Sequence, residues 1–473
     1  MPNDGKGNFT MKILVTGATG FLGQKLCQEL CRRGHSINAL TRDPVKARLE
    51  SSFKANFYKW SNLNENPPHE AFVGVDAIVH LMGESIASAK WTDKQKKRIR
   101  QSRIDTLKLI ADVASQYCAD TLKAVVSSSA IGIYGDRGDE TLDEQSGLGT
   151  GFLADVCKEW EAALFDGFLF NSSLRKVAVR TGIVLDLTGG ALEEMLPIFR
   201  KGVGSALGSG LQWMSWVSRR DLVSIYVTAI ENEAAFGVYN GVSPSAVTNR
   251  EFTEVLNTSL GLRTFMPPAP ELALKVVLGD RAQLLLQSQK VVPMRLQEAG
   301  FSFRDSNLGV YFNEMLSDFQ GGQRKVVFEQ WVDRTVDEVF PFFADARNLE
   351  KITPPTLNFE IENLPASEVY EGMLIDYRLK VHGVPMSWRT KIAKWSPNES
   401  FCDEQIKGPY SKWVHTHTFE PLAGGCLLTD EVVYKIPLGA LGRIFAGSFV
   451  FKDISKIFQF RRQFIHREFS KRT

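Results

Sequence analysis

Short apolar runs alternate with longer amphipathic segments along roughly the first 190 residues of the chain. The apolar runs begin at Lys12 and continue with His35–Leu40, Ala77–Leu81, Ala124–Ser128 and Lys176–Leu185. Helical spacing of apolar residues marks Phe21–Arg33, Asp93–Tyr117 and Leu153–Phe170. Strands that are apolar throughout are typical of parallel sheets buried on both faces. The pattern therefore predicts an α/β fold, a doubly wound parallel sheet with helices on both faces.

Two changes of pattern follow this alternation. The segment from Arg219 to Phe303 is richer in helical spacing and contains the break Pro267–Pro270, which predicts a small cap added to the sheet. A polar, glycine-containing stretch then covers Asp318–Lys325. We place the domain boundary there and predict one domain over residues 11–318 and a second over residues 325–473.

The second domain has the pattern of an antiparallel sheet closed by helices. A strand is predicted at Val326–Val332 and a helix at Val336–Ala344. Alternating runs follow at Ile375–Val381, Ser387–Trp395, Lys412–Phe419 and Leu427–Ile436. The final segment, Phe449–Phe469, has apolar residues at near-helical spacing, which predicts a long closing helix over a curved sheet.

Composition narrows the class of protein. The 473 residues include 56 Lys and Arg against 54 Asp and Glu, a net charge of +2, which gives no global field for a nucleic-acid partner. Six scattered cysteines indicate reduced thiols rather than a disulfide framework. Because the first ten residues are polar, we expect that they are not a signal peptide, and no apolar stretch approaches the ~18 residues of a membrane span. We therefore expect a cytoplasmic protein without an integral membrane segment.

The loop after the first predicted strand carries the strongest chemical signal. It contains Gly17, Gly20 and Gly23 between a strand and a helix, where a glycine-rich turn lets backbone amides approach a pyrophosphate. The intervening Thr19, Phe21 and Leu22 are predicted to lie at the same dinucleotide. This context predicts a nicotinamide cofactor.

The end of the second strand selects between two cofactors. Thr41 and Arg42 stand where dinucleotide-binding proteins commonly place the carboxylate that holds a ribose diol. A guanidinium at this position favours the 2′-phosphate of NADP(H) over NAD. The alternative is that Arg42 is a solvated surface residue and that Asp43 supplies the carboxylate.

Several longer motifs resemble one family. They read TGATGFLG, HLMGESIA, SSSAIGIYGDRGDE, FLADVCKEWE, RTGIVLD, GSGLQWMSW and VPMRLQEAGFSFR, and they span roughly Met11–Tyr311. Together they resemble the atypical nucleoside-diphosphate-sugar epimerase-like family of the extended short-chain dehydrogenases/reductases. The resemblance implies a Rossmann fold, NADP(H) as cofactor, contacts from Leu81 and Gly83 to that cofactor, and a small-molecule substrate.

The catalytic residues of that superfamily are only partly present. Its members use a Tyr-x-x-x-Lys pair and a Ser that holds the substrate oxygen while the Tyr moves a proton. By position Ser129 matches the Ser and Lys158 the Lys, which also holds the cofactor ribose, but Ala154 stands at the Tyr position. Ser102 occupies the place of a further Asn. The resemblance therefore supports Ser129 and Lys158 as catalytic residues and leaves the proton donor open.

Tyr134 is the nearest alternative donor, with bound water as the other candidate. It follows Ser129 by five residues and precedes a glycine, a position where a tyrosine ring more often anchors the turn. Arg219 and Arg220 stand where the family is expected to have other residue types. They would bind an anionic substrate or act as a solvated or cap-docking pair.

The second domain resembles a different superfamily. The strings VDEVFPFF and DEQIKGPY, with Asn348-Leu349 and Pro354-Pro355 between them, are similar to START-like, polyketide-cyclase-like (SRPBCC) domains. That resemblance implies an α+β helix-grip fold around a cavity for a hydrophobic ligand. Trp413, His415 and His417 alternate on one strand face. They could line the cavity or bind a metal, or the histidines could be a satisfied pair on a solvated face. With no third ligand apparent, we expect the solvated pair and no metal.

The last 33 residues carry eight Lys and Arg against two acids. We expect the closing helix to pack its apolar stripe on its own sheet, while contact with an anionic membrane stays open. Two functions follow from the whole sequence. The first is an NADP(H)-dependent oxidoreductase or epimerase-like enzyme coupled to a lipophilic-ligand module. The alternative is a non-catalytic NADP(H)-binding sensor or carrier of a hydrophobic ligand.

Overall fold

The computed structural model describes residues 10–61, 63–263, 266–437 and 439–470, and of residues 320 and 439–448 only the backbone. It divides the chain into two compact units, one of residues 1–44 and 55–316 and the other of residues 45–54 and 317–473. No helix in the described ranges is long and apolar enough to cross a membrane.

Strands and helices alternate in the first part of the chain. In order they are β1 (Lys12–Thr16), α1 (Phe21–Arg32), β2 (Ser36–Thr41), α2 (Pro44–Glu50), β3 (Asn56–Lys59), β4 (Ala77–His80), α3 (Asp93–Tyr117), β5 (Ala124–Ala130), β6 (Thr141–Leu142), α4 (Phe152–Phe165), β7 (Arg175–Thr181), β8 (Ile183–Asp186) and α5 (Gly190–Arg200). There follow β9 (Trp213–Met214), β10 (Trp216–Ser218), α6 (Arg219–Glu231), β11 (Gly237–Gly241), β12 (Val247–Thr248), α7 (Asn249–Ser259), α8 (Glu271–Leu278), α9 (Gln283–Leu286), β13 (Lys290–Val291), α10 (Met294–Glu298) and α11 (Leu308–Leu316).

The core of the first unit is a seven-stranded sheet in the order β11-β7-β5-β4-β1-β2-β3. Its paired strands run parallel, for example Ile13 opposite Ile37 and Val126 opposite Val177. The strand order reverses between β1 and β4, and in such sheets ligands bind outside the carboxyl ends of the strands at this point. The topology therefore brings the loop after β1 and the residues after β4 to one edge.

Side-chain caps set the start of some helices in this unit. Thr92 begins α3 by accepting a hydrogen bond from the Gln95 amide at 3.3 Å. Thr248 and Glu251 form a reciprocal capping box at the start of α7. Such caps satisfy amides that the helix itself leaves free.

The second unit is built on an antiparallel sheet. Its elements are β14 (Arg324–Val332), α12 (Val336–Ala344), α13 (Asn348–Lys351), β15 (Glu360–Asn363), β16 (Leu374–Val381), β17 (Val384–Ser396), β18 (Ser400–Lys407), β19 (Lys412–Leu422), β20 (Gly425–Lys435) and α14 (Gly439–Ser470). The strand order is β14-β20-β19-β18-β17-β16-β15, so the first strand pairs with the last. Ile454, Phe458 and Ile465 of α14 are buried in the cores of this unit.

The fold predictions hold with local corrections. The predicted parallel α/β sheet and the following helix-grip domain are both present. The single strand predicted at Lys176–Leu185 is wrong, because Gly182 separates β7 in the large sheet from β8, which pairs with β10. The helix predicted to reach Phe170 ends at Phe165. The polar stretch at the predicted boundary forms a 3₁₀ helix over Ser317–Gly322.

Candidate cofactor site and ligand cavity

The loop between β1 and α1 is held tight by its glycines. Gly17 has φ +71°, which favours glycine, and its carbonyl oxygen accepts a hydrogen bond from the Gly20 amide at 3.0 Å. A Cβ on Gly23 would lie 2.2 Å from that same carbonyl oxygen. No side chain caps the first turn of α1. Free amides at the start of a twelve-residue helix beside a side-chain-free turn fit a pyrophosphate group.

The flanking predicted residues surround this loop. Thr19 is exposed, and Phe21 and Leu22 are half-buried at the start of α1. Leu81, directly after β4, donates its amide to the Thr16 carbonyl at 3.2 Å. A Cβ on Gly17 would lie 3.0 Å from the Leu81 carbonyl carbon, so the residues after β4 line the loop at van der Waals distance.

The end of β2 presents Arg42 to solvent. Thr41 is the last residue of the strand and is half-buried, while Arg42 and Asp43 are exposed directly after it. Both positions are therefore accessible from the edge where the strands end. The choice between a phosphate-binding Arg42 and a ribose-binding Asp43 stays a prediction.

A buried chain of polar groups begins at Ser129 near the end of β5. The Ser129 hydroxyl donates to Glu161 Oε1 of α4 at 2.7 Å. Arg180 of β7 donates two hydrogen bonds to the same carboxylate, at 2.9 and 2.8 Å. Glu161 raises the pKa of the Arg180 guanidinium above its ordinary value, although burial alone would lower it. Ser129 is thus bonded to a carboxylate that is fixed by a buried cation.

Tyr134 joins the same chain of hydrogen bonds through Arg180, at the opposite end from Ser129. Its hydroxyl accepts a hydrogen bond from Arg180 Nη1 at 2.9 Å and donates to Asn240 Oδ1 at 2.8 Å. The side chain is fully buried in a small apolar core with Ile133 and Val291. Burial raises the pKa of the Tyr134 hydroxyl, opposed by Arg180. This geometry favours the anchoring interpretation over a role as proton donor.

Further residues near the candidate site lie on α3 and α4. Lys158 is partly exposed, one turn before Glu161, and its Nζ lies 3.6 Å from Asp155 Oδ1. Burial raises the pKa of the Cys157 thiol to about 12, so the thiol is protonated at neutral pH. Ser102 accepts a hydrogen bond from the Glu84 amide at 2.8 Å. The structure joins Ser129 to Tyr134 through Glu161 and Arg180, whereas Lys158 pairs with Asp155.

Arg103 is a site residue that the sequence interpretation missed. A Cβ on Gly83 would lie 2.9 Å from its guanidinium carbon, so the guanidinium packs on the backbone after β4. The same group lies 5.2 Å from the centre of the Trp160 ring. Burial lowers the pKa of Arg103, and burial with the nearby Arg103 charge lowers the pKa of His80 to about 3. The half-buried Arg103 guanidinium therefore lies against the backbone of Gly83, after β4 at the predicted cofactor edge.

Arg219 and Arg220 have different partners. Arg219 pairs with Asp186 at 3.1 Å, and its guanidinium lies 4.7 Å from the centre of the Phe21 ring. Arg220 is bracketed by Asp305 and Glu314. The arrangement of Arg220 agrees with the docking role predicted for the pair. Arg219 instead lies against the first residue of α1.

The second unit encloses a cavity of about 840 Å³ between its sheet and its helices. Its walls are chiefly apolar and aromatic, with Phe343, Tyr377, Trp388, Trp413 and Phe458 among them. This size and lining are typical of sites for small apolar molecules.

One wall of the cavity carries a charged group that we call the His–Asp cluster, formed by Asp403, His415, His417 and Asp430. Strand register creates it, since Asp403 lies opposite His415 and Asp430 lies opposite His417 on neighbouring strands. The expectation of a solvated histidine pair is wrong, because these side chains face the interior and His415 and His417 are only 4% and 6% exposed. Burial would raise the pKa of Asp403, but His415 and His417 hold it below its ordinary value.

Comparison with known proteins identifies the two parts of the chain. Residues 13–150 match the NAD dependent epimerase/dehydratase family, and residues 269–314 match a domain of unknown function. The epimerase family protein SDR39U1 homolog, chloroplastic, of Arabidopsis thaliana is 38% identical over 296 residues, which cover 62% of this chain and 83% of that protein. The chain belongs to this epimerase family.

Solved structures of epimerase proteins extend the comparison. The crystal structure of human SDR39U1 with NADPH has a TM-score of 0.58 at 33% identity and covers 65% of this chain and 99% of that one. A nucleoside-diphosphate sugar epimerase from Corynebacterium glutamicum has a TM-score of 0.52 at 28% identity, covering 65% of this chain and 59% of the other. Residues 332–458 match the polyketide cyclase/dehydrase and lipid transport family.

These findings confirm both predicted family resemblances and support a nicotinamide cofactor for this epimerase-family chain. The domain limits, the individual site residues and the cytoplasmic location stay predictions.

Proposed function

We propose that this epimerase-family chain is an NADP(H)-dependent oxidoreductase or epimerase-like enzyme, coupled to a module that binds a hydrophobic ligand. The observation that carries the first part is the glycine cradle between β1 and α1, with Arg42 exposed directly after β2. NADPH in the human relative supports the choice of cofactor.

Named residues of the chain would hold the cofactor. Amides of Gly17 and of the start of α1 would bind the pyrophosphate beside the side-chain-free turn at Gly20, and Arg42 would pair with the 2′-phosphate. The family resemblance assigns the nicotinamide ribose to Lys158. When bound, the nicotinamide supplies the donor or acceptor of a hydride.

Ser129 and Glu161 are the groups that we assign to proton movement. As an alcohol is oxidised, its O–H bond breaks and its proton passes to the Ser129 oxygen, while Ser129 gives its own proton to Glu161 Oε1 across 2.7 Å. Carbonyl reduction runs the same transfers in reverse. Arg180 fixes the carboxylate for this role. This route needs no hydroxyl at the position of Ala154.

The cofactor assignment is tested by titrating the full chain with NADPH and NADH in a calorimeter. We expect tighter binding of NADPH, and we expect Arg42→Ala to remove most of that preference while leaving NADH affinity unchanged. Arg98→Ala, which removes an exposed arginine of α3, is the matched control. Equal affinities in the wild type, or a preference that survives Arg42→Ala, would contradict the assignment.

The second candidate function is a non-catalytic NADP(H)-binding sensor or carrier. Ala154 at the usual proton-donor position and the buried, fully bonded hydroxyl of Tyr134 favour it. Oxidation of bound NADPH, followed by fluorescence with a panel of aldehydes and ketones, separates the two. Turnover that falls ~10²–10⁴-fold in Ser129→Ala supports the enzyme. Tight NADPH binding without oxidation by any compound supports the sensor.

A further inference from the structure

Two distances inside the His–Asp cluster are those expected between ligands of one metal ion. Asp403 Oδ2 lies 3.3 Å from His415 Nδ1 and 3.4 Å from His417 Nε2. Ligand atoms around a tetrahedral ion with bonds of about 2.0–2.1 Å are separated by about 3.3–3.4 Å. One ligand atom from each of the three side chains lies within 4.8 Å of the other two. Hydrogen bonds between nitrogen and oxygen are usually shorter, at about 2.7–3.2 Å.

Asp430 occupies the position of an outer-shell partner. Its Oδ1 lies beside the imidazole nitrogen of each histidine that points away from Asp403. The distances are 3.0 Å to His415 Nε2 and 2.8 Å to His417 Nδ1. Histidines that bind a metal almost always donate their other N–H to a carboxylate or carbonyl, which fixes the tautomer and the direction of the free lone pair. Arg461 Nη1 holds the same Asp430 oxygen at 3.1 Å. Both imidazoles are thereby directed with their remaining nitrogens toward Asp403.

We propose that Asp403, His415 and His417 bind a divalent first-row transition-metal ion whose open coordination position faces the apolar cavity. Two histidines and one carboxylate suit Zn²⁺ with three protein ligands, or Fe²⁺ in a facial triad. All three side chains line the cavity, so a fourth ligand would come from a molecule bound there. This inference rests on the proposed hydrophobic-ligand module and adds the chemistry of its polar end.

The charged side chains around the proposed ion indicate which polar group of a ligand would fit beside it. Asp403 and Asp430 balance a divalent ion, and Arg461 beside them adds one positive charge. An anionic oxygen at the end of an apolar molecule, such as a carboxylate, complements that charge and completes the coordination of the ion. The aromatic walls of the cavity would enclose the rest of the molecule.

Metal binding is tested on the full chain after dialysis against EDTA. We expect calorimetric titration with Zn²⁺, and separately with Fe²⁺ under anaerobic conditions, to give one ion per chain, with Zn²⁺ bound more tightly as the general order of divalent affinities requires. Asp403→Asn and His417→Gln should each lower the affinity at least 100-fold. Asp430→Asn should lower it ~10–100-fold as an outer-shell partner. His466→Gln, a change in α14 outside the cluster, should leave it unchanged.

Fluorescence of cis-parinaric acid, an apolar carboxylate, then tests the open position. We expect the ion to increase its affinity at least tenfold and to leave its methyl ester unaffected. Failure of the wild-type chain to bind one ion of either metal would overturn the metal site without reference to any variant's stability. Binding of the probe without a metal would leave the hydrophobic-ligand module standing, and metal binding without any probe binding would count against that module alone. NADPH titration of the same samples tests cofactor binding by the first unit independently of metal and probe binding by the second.

Discussion

Replacing Glu161 by glutamine should destabilise the first unit severely, because it leaves Arg180 buried without a counter-charge. The two side chains are only 10% and 5% exposed and are joined by hydrogen bonds of 2.8 and 2.9 Å. Removing one partner of such a buried pair costs ~3–5 kcal/mol. At roughly 2 °C per kcal/mol for a large domain, we expect the melting temperature of this unit to fall by roughly 6–10 °C.

Differential scanning calorimetry of the full chain measures this change against a control on the same helix. Glu159→Gln breaks an exposed pair with Arg100 and should cost no more than ~1 kcal/mol. A double variant, Glu161→Leu with Arg180→Met, should recover much of the loss, since a packed apolar pair needs no charge compensation. A melting temperature in Glu161→Gln no lower than in Glu159→Gln would refute the reasoning that Arg180 depends on Glu161 as its buried counter-charge.

Three further changes test the first unit. Gly23→Ala should weaken NADPH binding at least tenfold in a calorimetric titration, because its Cβ would lie 2.2 Å from the Gly17 carbonyl oxygen. Tyr134→Phe should leave any NADPH oxidation rate unchanged and lower thermal stability by ~1–3 kcal/mol, because it leaves Arg180 and a buried amide oxygen without the hydroxyl. His80 has a folded-state pKa of about 3 and an ordinary value of 6.5, so its contribution to stability is present above pH 6.5 and is lost as the pH falls toward 3. By pH 5 the loss is ~2 kcal/mol in denaturant unfolding, and His80→Gln should remove this part of the pH dependence.

Two matched controls accompany these changes. Gly147→Ala adds a Cβ where nothing lies within 4 Å and should leave NADPH affinity unchanged. His69 is more than half exposed, so His69→Gln should keep the acid-side loss of stability that His80→Gln removes. A reduced oxidation rate in Tyr134→Phe, with the fold intact, would instead support the hydroxyl as a proton donor.

Sequence reasoning was strongest where one local pattern determines one element. Helices α3 and α12 begin and end at the predicted residues, since their apolar spacing and flanking caps lie within a single segment. The glycine loop was likewise found from its neighbours in the chain. Gly20 and Gly23 are required by contacts with Gly17 inside the same loop, whereas the contact of Gly17 with Leu81 joins distant segments.

The sequence pattern does not indicate which residues of distant segments contact one another. Glu161 and Arg180 lie within quoted family motifs, but nothing in either motif indicates that Ser129 donates to that carboxylate. In the second unit the third candidate ligand, Asp403, is on a neighbouring strand, and only the register that sets it opposite His415 brings it to the same face. A pattern of alternation gives the face of each strand but not its pairing partner.

The pairing of β14 with β20 has a consequence for how the chain folds as it is synthesised. Arg324 pairs with Tyr434, about 110 residues later, whereas β1 pairs with β2 after about 24 residues. Pairing between distant segments is slow, and domains emerging first from the ribosome generally fold first. The parallel sheet can therefore begin to assemble early. The edge of β14 that pairs with β20 stays unpaired until nearly all of the chain has emerged. Truncations that remove β20 should expose that edge and aggregate, even though they spare every residue of the cofactor loop.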